Sequence, residues 1–388
     1  MKHTLYQKFN KFYNKDAQNA YFSPGRVNLI GEHIDYNGGL VMPCAITQGS
    51  YLLIAPNEDG VFRFRSLNFP EQQEIPLQDQ YKKDGDNWFN FPIGIINYFT
   101  KDGHQLKGLD MLFYGDIPLG SGLSSSASIE VVTAFALNDI FNSGYSKLDL
   151  VKLSKSVENN FIGVNSGIMD QFAVAFGEKN KALVLNCDTL EYQAVDSNLG
   201  DYLLAIINTN KPRNLTESKY NERVQECKEA LTALQKELNI NYLCDIDAET
   251  LKKHELLITN AVILKRAKHV IEENDRVKLA AAALANNNLH EFGRLMYASH
   301  DSLRDQYEVS GAELDAIAEY GKTDPNVAGS RMTGAGFGGC AIALVKRDAF
   351  DDYSSKITKY YTDKIGYAPS VYSSLIGDGV GLLNLLVN

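Results

Sequence analysis

The run Gly120-Ser121-Gly122-Leu123-Ser124-Ser125-Ser126 carries the residue types of an anion cradle. Two glycines let the backbone turn with its N–H groups facing inward. A helix starting just after it adds unpaired donors and the positive end of a dipole. Three consecutive serines supply hydroxyls for phosphate oxygens or for a hard cation such as Mg2+. A flexible Gly/Ser loop closed by a serine N-cap has the same composition, so the segment alone leaves both readings open. Two better-known nucleotide motifs fail on inspection. Gly321-Lys322-Thr323 ends like a Walker loop, but Ala316 stands where the first glycine is required. Gly334-Ala335-Gly336-Phe337-Gly338-Gly339 has the spacing of a dinucleotide-binding turn, yet the strand-like run Cys340 to Val345 follows it where a helix is needed. That turn reads either as a glycine-rich approach to a ligand or the Gly/Ser loop, or as a plain hairpin.

A second concentration of chemistry lies near the N-terminus. Gly25-Arg26-Val27-Asn28-Leu29-Ile30-Gly31-Glu32-His33-Ile34-Asp35-Tyr36-Asn37-Gly38-Gly39 sets Arg, Glu, His, Asp, Tyr and Asn between glycines. A turn rarely needs that density of hydrogen-bonding types. A site for a polyhydroxylated ligand does, because each hydroxyl must find a partner once water is expelled. His33 has no nearby His or Cys and reads as a surface or site histidine rather than a metal ligand. Asp170, in Gly167-Ile168-Met169-Asp170-Gln171-Phe172, taken alone fits an N-cap or turn residue. Glu158 alone fits the surface of a helix.

The elements that must position these groups are partly legible. Residues 1–20 read as a short polar helix, followed by strand-and-turn texture. Strands are expected at Leu52-Leu53-Ile54, Val61 to Phe64 and Leu109 to Tyr114, the last leading into the Gly/Ser loop. Helical spacing of Ile129, Val132, Phe135, Ala136 and Ile140 predicts a helix after that loop, and a second covers about Leu148 to Asn160. Ala182 to Leu185 and Tyr202 to Ile207 read as buried strands. From Glu217 to about Tyr320 the texture is helical, with runs at Glu222–Leu238, Asn260–Glu273 and Leu289–Leu303. The shift in composition near residue 200 divides the chain into 1–200, with the polar cluster and Gly/Ser loop, and 201–388, with the Gly-rich turn.

Composition excludes several classes. The 388 residues, 44% hydrophobic and 22% charged, suit a globular protein with room for two cores. A net charge of −10 offers no basic surplus for nucleic acid. Five scattered cysteines without a CxxC pair form neither a disulfide framework nor a zinc site. No signal-peptide pattern or long apolar span is present, so no membrane partner is expected, the compartment is read as cytoplasmic, and the sequon Asn214-Leu215-Thr216 as a chance match.

Jointly, Pro118 to Ala127, Gly329 to Gly339 and the N-terminal cluster resemble the GHMP small-molecule kinase superfamily. Gly25 to Gly39 is similar to the signature of its galactokinase family, and the likeness runs from about Phe22 to Leu382. The resemblance implies a two-domain α+β fold, with an N-terminal ribosomal S5-like domain, a C-terminal ferredoxin-like domain and the active site between them. It implies transfer of the ATP γ-phosphoryl group to the C1 hydroxyl of α-D-galactose, giving galactose 1-phosphate and ADP, the first step of galactose catabolism by the Leloir pathway. Asp170 and Arg26 fall on the catalytic positions. Glu32, His33, Ile34, Asp35, Asp170 and Tyr220 fall on the sugar positions. Ser66 and Gly120, Ser121, Gly122, Leu123, Ser124, Ser125 and Ser126 fall on the ATP positions, and Ser126 with Glu158 on those holding Mg2+. Arg26 beside Asp170 would favour the charged carboxylate, ready for a sugar hydroxyl proton. The family resemblance is looser at Asn165 and Ser166, where sugar selectivity could shift. A kinase for N-acetylgalactosamine or galacturonate, and a sugar sensor without catalysis, are the rival readings; against the sensor stand the complete serine run, Asp170 and Glu158. A monomer or weak oligomer is expected.

Overall fold

The structure is a computed structural model that describes residues 2–118, 120–164, 166–211 and 216–383. Leu119, Asn165 and the sequon residues Asn214 and Leu215 lie outside the described residues.

The chain begins with α1 (Lys2–Tyr13), which ends where Asn14 turns to a left-handed φ of 51°, well before residue 20. Although polar overall, α1 lays Leu5 and Phe9 against Tyr51, Leu53 and Leu112 of the first sheet. Then follow β1 (Asn19–Asn28), β2 (Leu40–Val41), β3 (Pro43–Pro56), β4 (Val61–Ser66), β5 (Gln73–Pro76), α2 (Asn90–Lys101) and β6 (Leu109–Gly115). After the Gly/Ser loop come α3 (Ser125–Phe141), α4 (Lys147–Val157), α5 (Met169–Phe176), β7 (Lys181–Asn186) and β8 (Tyr192–Asp196). The remainder is β9 (Tyr202–Asn208), α6 (Thr216–Leu234), α7 (Ala248–His254), α8 (Ala261–Ala285), α9 (Leu289–Asp305), α10 (Ala312–Thr323), β10 (Val327–Thr333), β11 (Cys340–Lys346), α11 (Phe350–Ile365), β12 (Ser370–Ser374) and β13 (Gly381–Leu382).

Among the described residues the strands form three sheets: β13-β1-β3-β6-β4-β5, β2-β7-β8 and β10-β11-β9-β12. The mixed helix and sheet content and this layering are those of an α+β fold. α3 buries Val131, Val132, Ala134, Ala136 and Leu137 completely, which is why its sequence is apolar nearly all round. Its N-terminus therefore meets the Gly/Ser loop from inside the molecule. On the other side α9 lies so close to β10 that a Cβ on Gly293 would sit 1.8 Å from the Ala328 carbonyl oxygen.

Several elements differ from the sequence expectation. The expected helix to Asn160 stops at Val157 and widens into a π-helical turn, Glu158–Ile162, a feature frequent at functional sites. β10 precedes the Gly-rich turn, so Gly334 to Gly339 joins two antiparallel strands. The division at residue 200 falls in the gap between β8 and β9, but the tail does not stay with the second half. β13 pairs with β1, and Ile376 bridges to Ile46 in β3. A single core cluster runs from Val27 and Ile34 through Ile206 to Val345.

Candidate active site

Arg26, near the end of β1, holds the centre of the site. Its Nε and Nη2 donate to Oδ1 and Oδ2 of Asp170 at 2.8 and 2.7 Å, a two-pronged pairing that fixes the carboxylate plane. Its Nη1 donates to the Gly122 carbonyl at 2.8 Å, tying the pair to the Gly/Ser loop. That approach needs Gly25, where a Cβ would meet the Leu123 carbonyl oxygen at 2.7 Å. Ser124 Oγ donates to Asp170 Oδ2 at 2.6 Å, from a left-handed backbone with φ 65°. A serine held in that region stores strain, which the surrounding contacts must override.

Three cavities meet around this group. The middle one, ≈ 480 Å3, is lined by the loop residues Gly120, Ser121, Gly122, Ser124, Ser125 and Ser126 and by Arg26, Asp170 and the turn Thr333 to Gly339. The Gly-rich turn is thus a hairpin that also faces the loop, so both sequence readings of it hold. To one side, a cavity of ≈ 160 Å3 shares Ser125 and Ser126 and is otherwise walled mainly by Phe69, Trp88, Phe91, Phe113 and Tyr114. Ser66 lies on this wall. The planes of Phe69 and Trp88 are 16° apart, with centroids 6.4 Å apart. To the other side, a cavity of ≈ 100 Å3 shares Arg26, Gly334 and Ala335 and is lined by Asn28, Glu32, His33, Asp35 and Tyr220.

The third cavity is held by buried charge. Glu32 pairs with Arg331, and its Oε1 accepts from the Gly334 N–H at 3.0 Å. Arg331 is fully buried and also faces Glu273, whose Oε1 accepts from the Gly31 N–H at 3.0 Å. Burial opposes the Glu273 charge, but Arg276, His269 and Arg331 hold its carboxyl down to about 2. Glu32 is pushed up by burial, with Arg331 pulling the other way. Asp35, resting 3.4 Å from where a Cβ of Gly167 would lie, is pushed up to about 6 by burial, with Asp170 and Glu32 adding to it. Tyr220 stacks near His33, with centroids 5.4 Å apart.

Ser126 and Glu158 also meet: Ser126 Oγ donates to Glu158 Oε1 at 2.9 Å. A hydroxyl and a carboxylate side by side at a phosphate-type loop suit a hard divalent cation that keeps most of its shell for phosphate oxygens and water. Gln171 donates to Glu158 Oε2 at 2.7 Å and lies 3.3 Å from Glu130 Oε2, so it bridges two carboxyl groups. Burial pushes Glu130 well above the usual carboxylate range, and the Glu158 charge adds to it. Ser166 Oγ also donates to Glu158, so the departure at Ser166 bears on this carboxylate rather than on the sugar-side cavity. Asn165 lies outside the described residues.

Two expected site residues are placed differently. Ile34 is fully buried in the core and lines none of these cavities; the preceding left-handed residue, His33 at φ 65°, turns its side chain inward. Leu123 likewise packs its side chain in the core, and its carbonyl accepts from the Arg26 N–H at 3.2 Å. Sequence reasoning missed Trp88, Arg331, Glu273 and Gln171. Trp88 had a signal, being the sole tryptophan. Arg331 had a weaker one, a cation inside a strand otherwise of buried type. Glu273 and Gln171 had none beyond their helices.

The fold and the row of cavities define a small-molecule kinase of the GHMP type, and comparison with known proteins bears this out. Residues 90–178 match the GHMP kinases N terminal domain, 280–363 the GHMP kinases C terminal domain and 7–56 the galactokinase galactose-binding signature. A mevalonate kinase of Methanococcus jannaschii shares the fold at 19% identity, with a TM-score of 0.70 over 92% of this chain and 98% of that one. Galactokinase of Enterococcus faecalis is 48% identical over 382 residues, covering 98% of this chain and 99% of its own. The crystal structure of Lactococcus lactis galactokinase complexed with galactose superposes with a TM-score of 0.91 at 46% identity, over 98% of this chain and 99% of that one. The chain belongs to the galactokinase family of GHMP kinases.

Proposed function

We propose that this protein phosphorylates α-D-galactose at its C1 hydroxyl with ATP, yielding galactose 1-phosphate and ADP, and so opens galactose catabolism by the Leloir pathway. The single observation that carries the reading is the order of the three cavities: an aromatic slot, a loop rich in backbone N–H donors and a small pocket of buried hydrogen-bonding groups, with Arg26 and Asp170 where the last two join. An adenine base would stack on the aromatic wall that holds Phe69 and Trp88, with the triphosphate in the loop and the sugar in the pocket. The relative solved with galactose supports the choice of sugar.

In this reading the loop N–H groups and the serine hydroxyls hold the phosphates in line with the sugar. Glu32, His33, Asp35 and Tyr220 fix the sugar hydroxyls, and closure of this small pocket excludes water. Asp170, held flat by Arg26 and Ser124, orients the C1 hydroxyl and takes its proton as the oxygen attacks phosphorus. The remaining guanidinium face of Arg26 offsets charge on the transferring group. Ser126 and Glu158 would hold Mg2+, which supplies charge neutralisation on the β- and γ-phosphates when bound. The same proposal places the protein in the cytoplasm, supported by Cys44, Cys187, Cys227 and Cys244 standing as thiols.

The test is a coupled ADP-release assay with galactose, glucose, N-acetylgalactosamine and galacturonate, with and without Mg2+. Galactose-dependent, Mg2+-dependent release is expected. Preference for N-acetylgalactosamine or galacturonate would overturn the sugar assignment, and no release with any sugar would overturn the catalytic one.

A further inference from the structure

Behind His33 runs a line of hydrogen bonds that ends at Cys227, which lines none of the three cavities. His33 is buried, its Nε2 lies 3.1 Å from the Ala335 carbonyl oxygen and its Nδ1 lies 2.9 Å from the Tyr36 hydroxyl. The Tyr36 hydroxyl is 2.7 Å from that of Tyr307, which is fully buried and lies 3.1 Å from Cys227 Sγ. Taken singly, the hydroxyl–hydroxyl and hydroxyl–thiol links could run in either direction. The carbonyl removes the freedom. It can only accept, so Nε2 carries the hydrogen. A neutral imidazole has one N–H, so Nδ1 must accept, and only Tyr36 can supply it. Tyr36 has one hydrogen, so its oxygen takes the hydrogen of Tyr307, and Tyr307 in turn accepts from the Cys227 thiol. Burial keeps the ring neutral, with His269, Arg223 and Arg331 adding to the effect, and pushes it down to about 3.

We propose that Tyr36 and Tyr307, backed by Cys227, are positioning residues for sugar recognition that hold the Nδ1 side of His33 and so, with its Nε2–H on Ala335, lock the ring against the Gly334–Ala335 turn. Ala335 and Gly334 line both the sugar-side and the phosphate-side cavity, so the lock sets the wall between them. It also sets the polarity of the ring: Nε2 carries the hydrogen that Ala335 accepts, so toward the cavity His33 offers no ring-nitrogen lone pair to a ligand hydroxyl. This inference rests on the pocket being the sugar site.

The test is nitrogen-15 NMR of histidine-labelled protein, with the His33 signal identified by its loss in His33→Gln, combined with KM values for galactose and ATP. The wild type is expected to show a single Nε2–H tautomer. Tyr36→Phe removes the donor to Nδ1 while the Ala335 carbonyl still selects Nε2–H, so the Nδ1 signal should move to that of a free ring nitrogen and the galactose KM should rise about tenfold, with the ATP KM unchanged. Tyr307→Phe leaves Tyr36 free to donate, so the Nδ1 signal should stay that of a hydrogen-bonded nitrogen and the galactose KM should rise only about threefold. Cys227→Ser keeps a donor at the end of the line and should behave as wild type. A purely structural role predicts the reverse order, because Tyr307 is the more deeply buried ring. Thermal melting of each variant separates unfolding from mispositioning, and Tyr307→Phe probes the same line if Tyr36→Phe does not fold. An unchanged Nδ1 signal and wild-type galactose KM in Tyr36→Phe would overturn the proposal, as would a parallel rise of both KM values. If the wild type does not act on galactose at all, the sugar reading fails, and the Nδ1 signal still decides whether the lock exists.

Discussion

The phosphate side of the cleft is made of backbone, and the sugar side is made of side chains. On the phosphate side, Gly120, Gly122 and Ser124 stand at φ values of 68, 77 and 65°, and Gly334, Gly336, Gly338 and Gly339 face them, also left-handed. Such a surface presents N–H groups and little else, which suits a ligand whose oxygens are chemically alike. On the sugar side each group is pinned by another buried group: Glu32 by Arg331, Gly31 by Glu273, His33 by Tyr36. A sugar has hydroxyls that differ only in direction, so the pocket must fix directions. The cost is buried charge that the fold has to compensate locally.

The comparison can be broken most forcefully at Arg331. Arg331→Met strips Glu32 of its buried counter-charge and should destabilise the protein by about 3–5 kcal/mol in urea unfolding. A loss below about 1 kcal/mol would mean that the network is not compensated as described. A second cut tests the carboxylate beside the serine run on the phosphate side. Gln171→Leu frees Glu158 from its fixed orientation and should raise the Mg2+ concentration for half-maximal activity about 10–100-fold, with little change in galactose KM.

How much of this was readable beforehand follows the same division. The Gly/Ser loop was legible because its function lies in consecutive residues and their φ angles. The sugar side was legible only as a crowd of polar types, and the roles of Arg26 and Asp170 came through the family likeness, since 144 positions separate them. Glu273 and Tyr307 were invisible, and Arg331 showed only as a cation in an apolar run, because packing of distant helices and strands brings them there. Ile34 falls in the sugar set through the family likeness, whereas its side chain faces the core. α2 and α11 went unread, as did β10, whose Arg331 and Thr333 obscured a buried strand.

Two finer tests sharpen the comparison. Trp88→Ala should raise the ATP KM about tenfold through lost stacking and leave the galactose KM alone. On the other side, Asp35 is pushed up to about 6, so galactose KM at pH 5.5 should be about fourfold higher than at pH 7.5, and Asp35→Asn should abolish that pH dependence. A carboxyl raised in the fold takes its proton before the unfolded chain does. Between the unfolded value and pH 6, falling pH therefore favours the folded state through this group, and the loss of affinity is not unfolding.

The central claim is that Asp170, clamped by Arg26, acts on the sugar hydroxyl rather than merely holding the site together. Calorimetric titration of galactose into Asp170→Asn, paired with its turnover rate, measures this directly. The account predicts galactose binding close to that of the wild type with turnover lowered by about 10²–10⁴-fold. Wild-type turnover in that variant would contradict it.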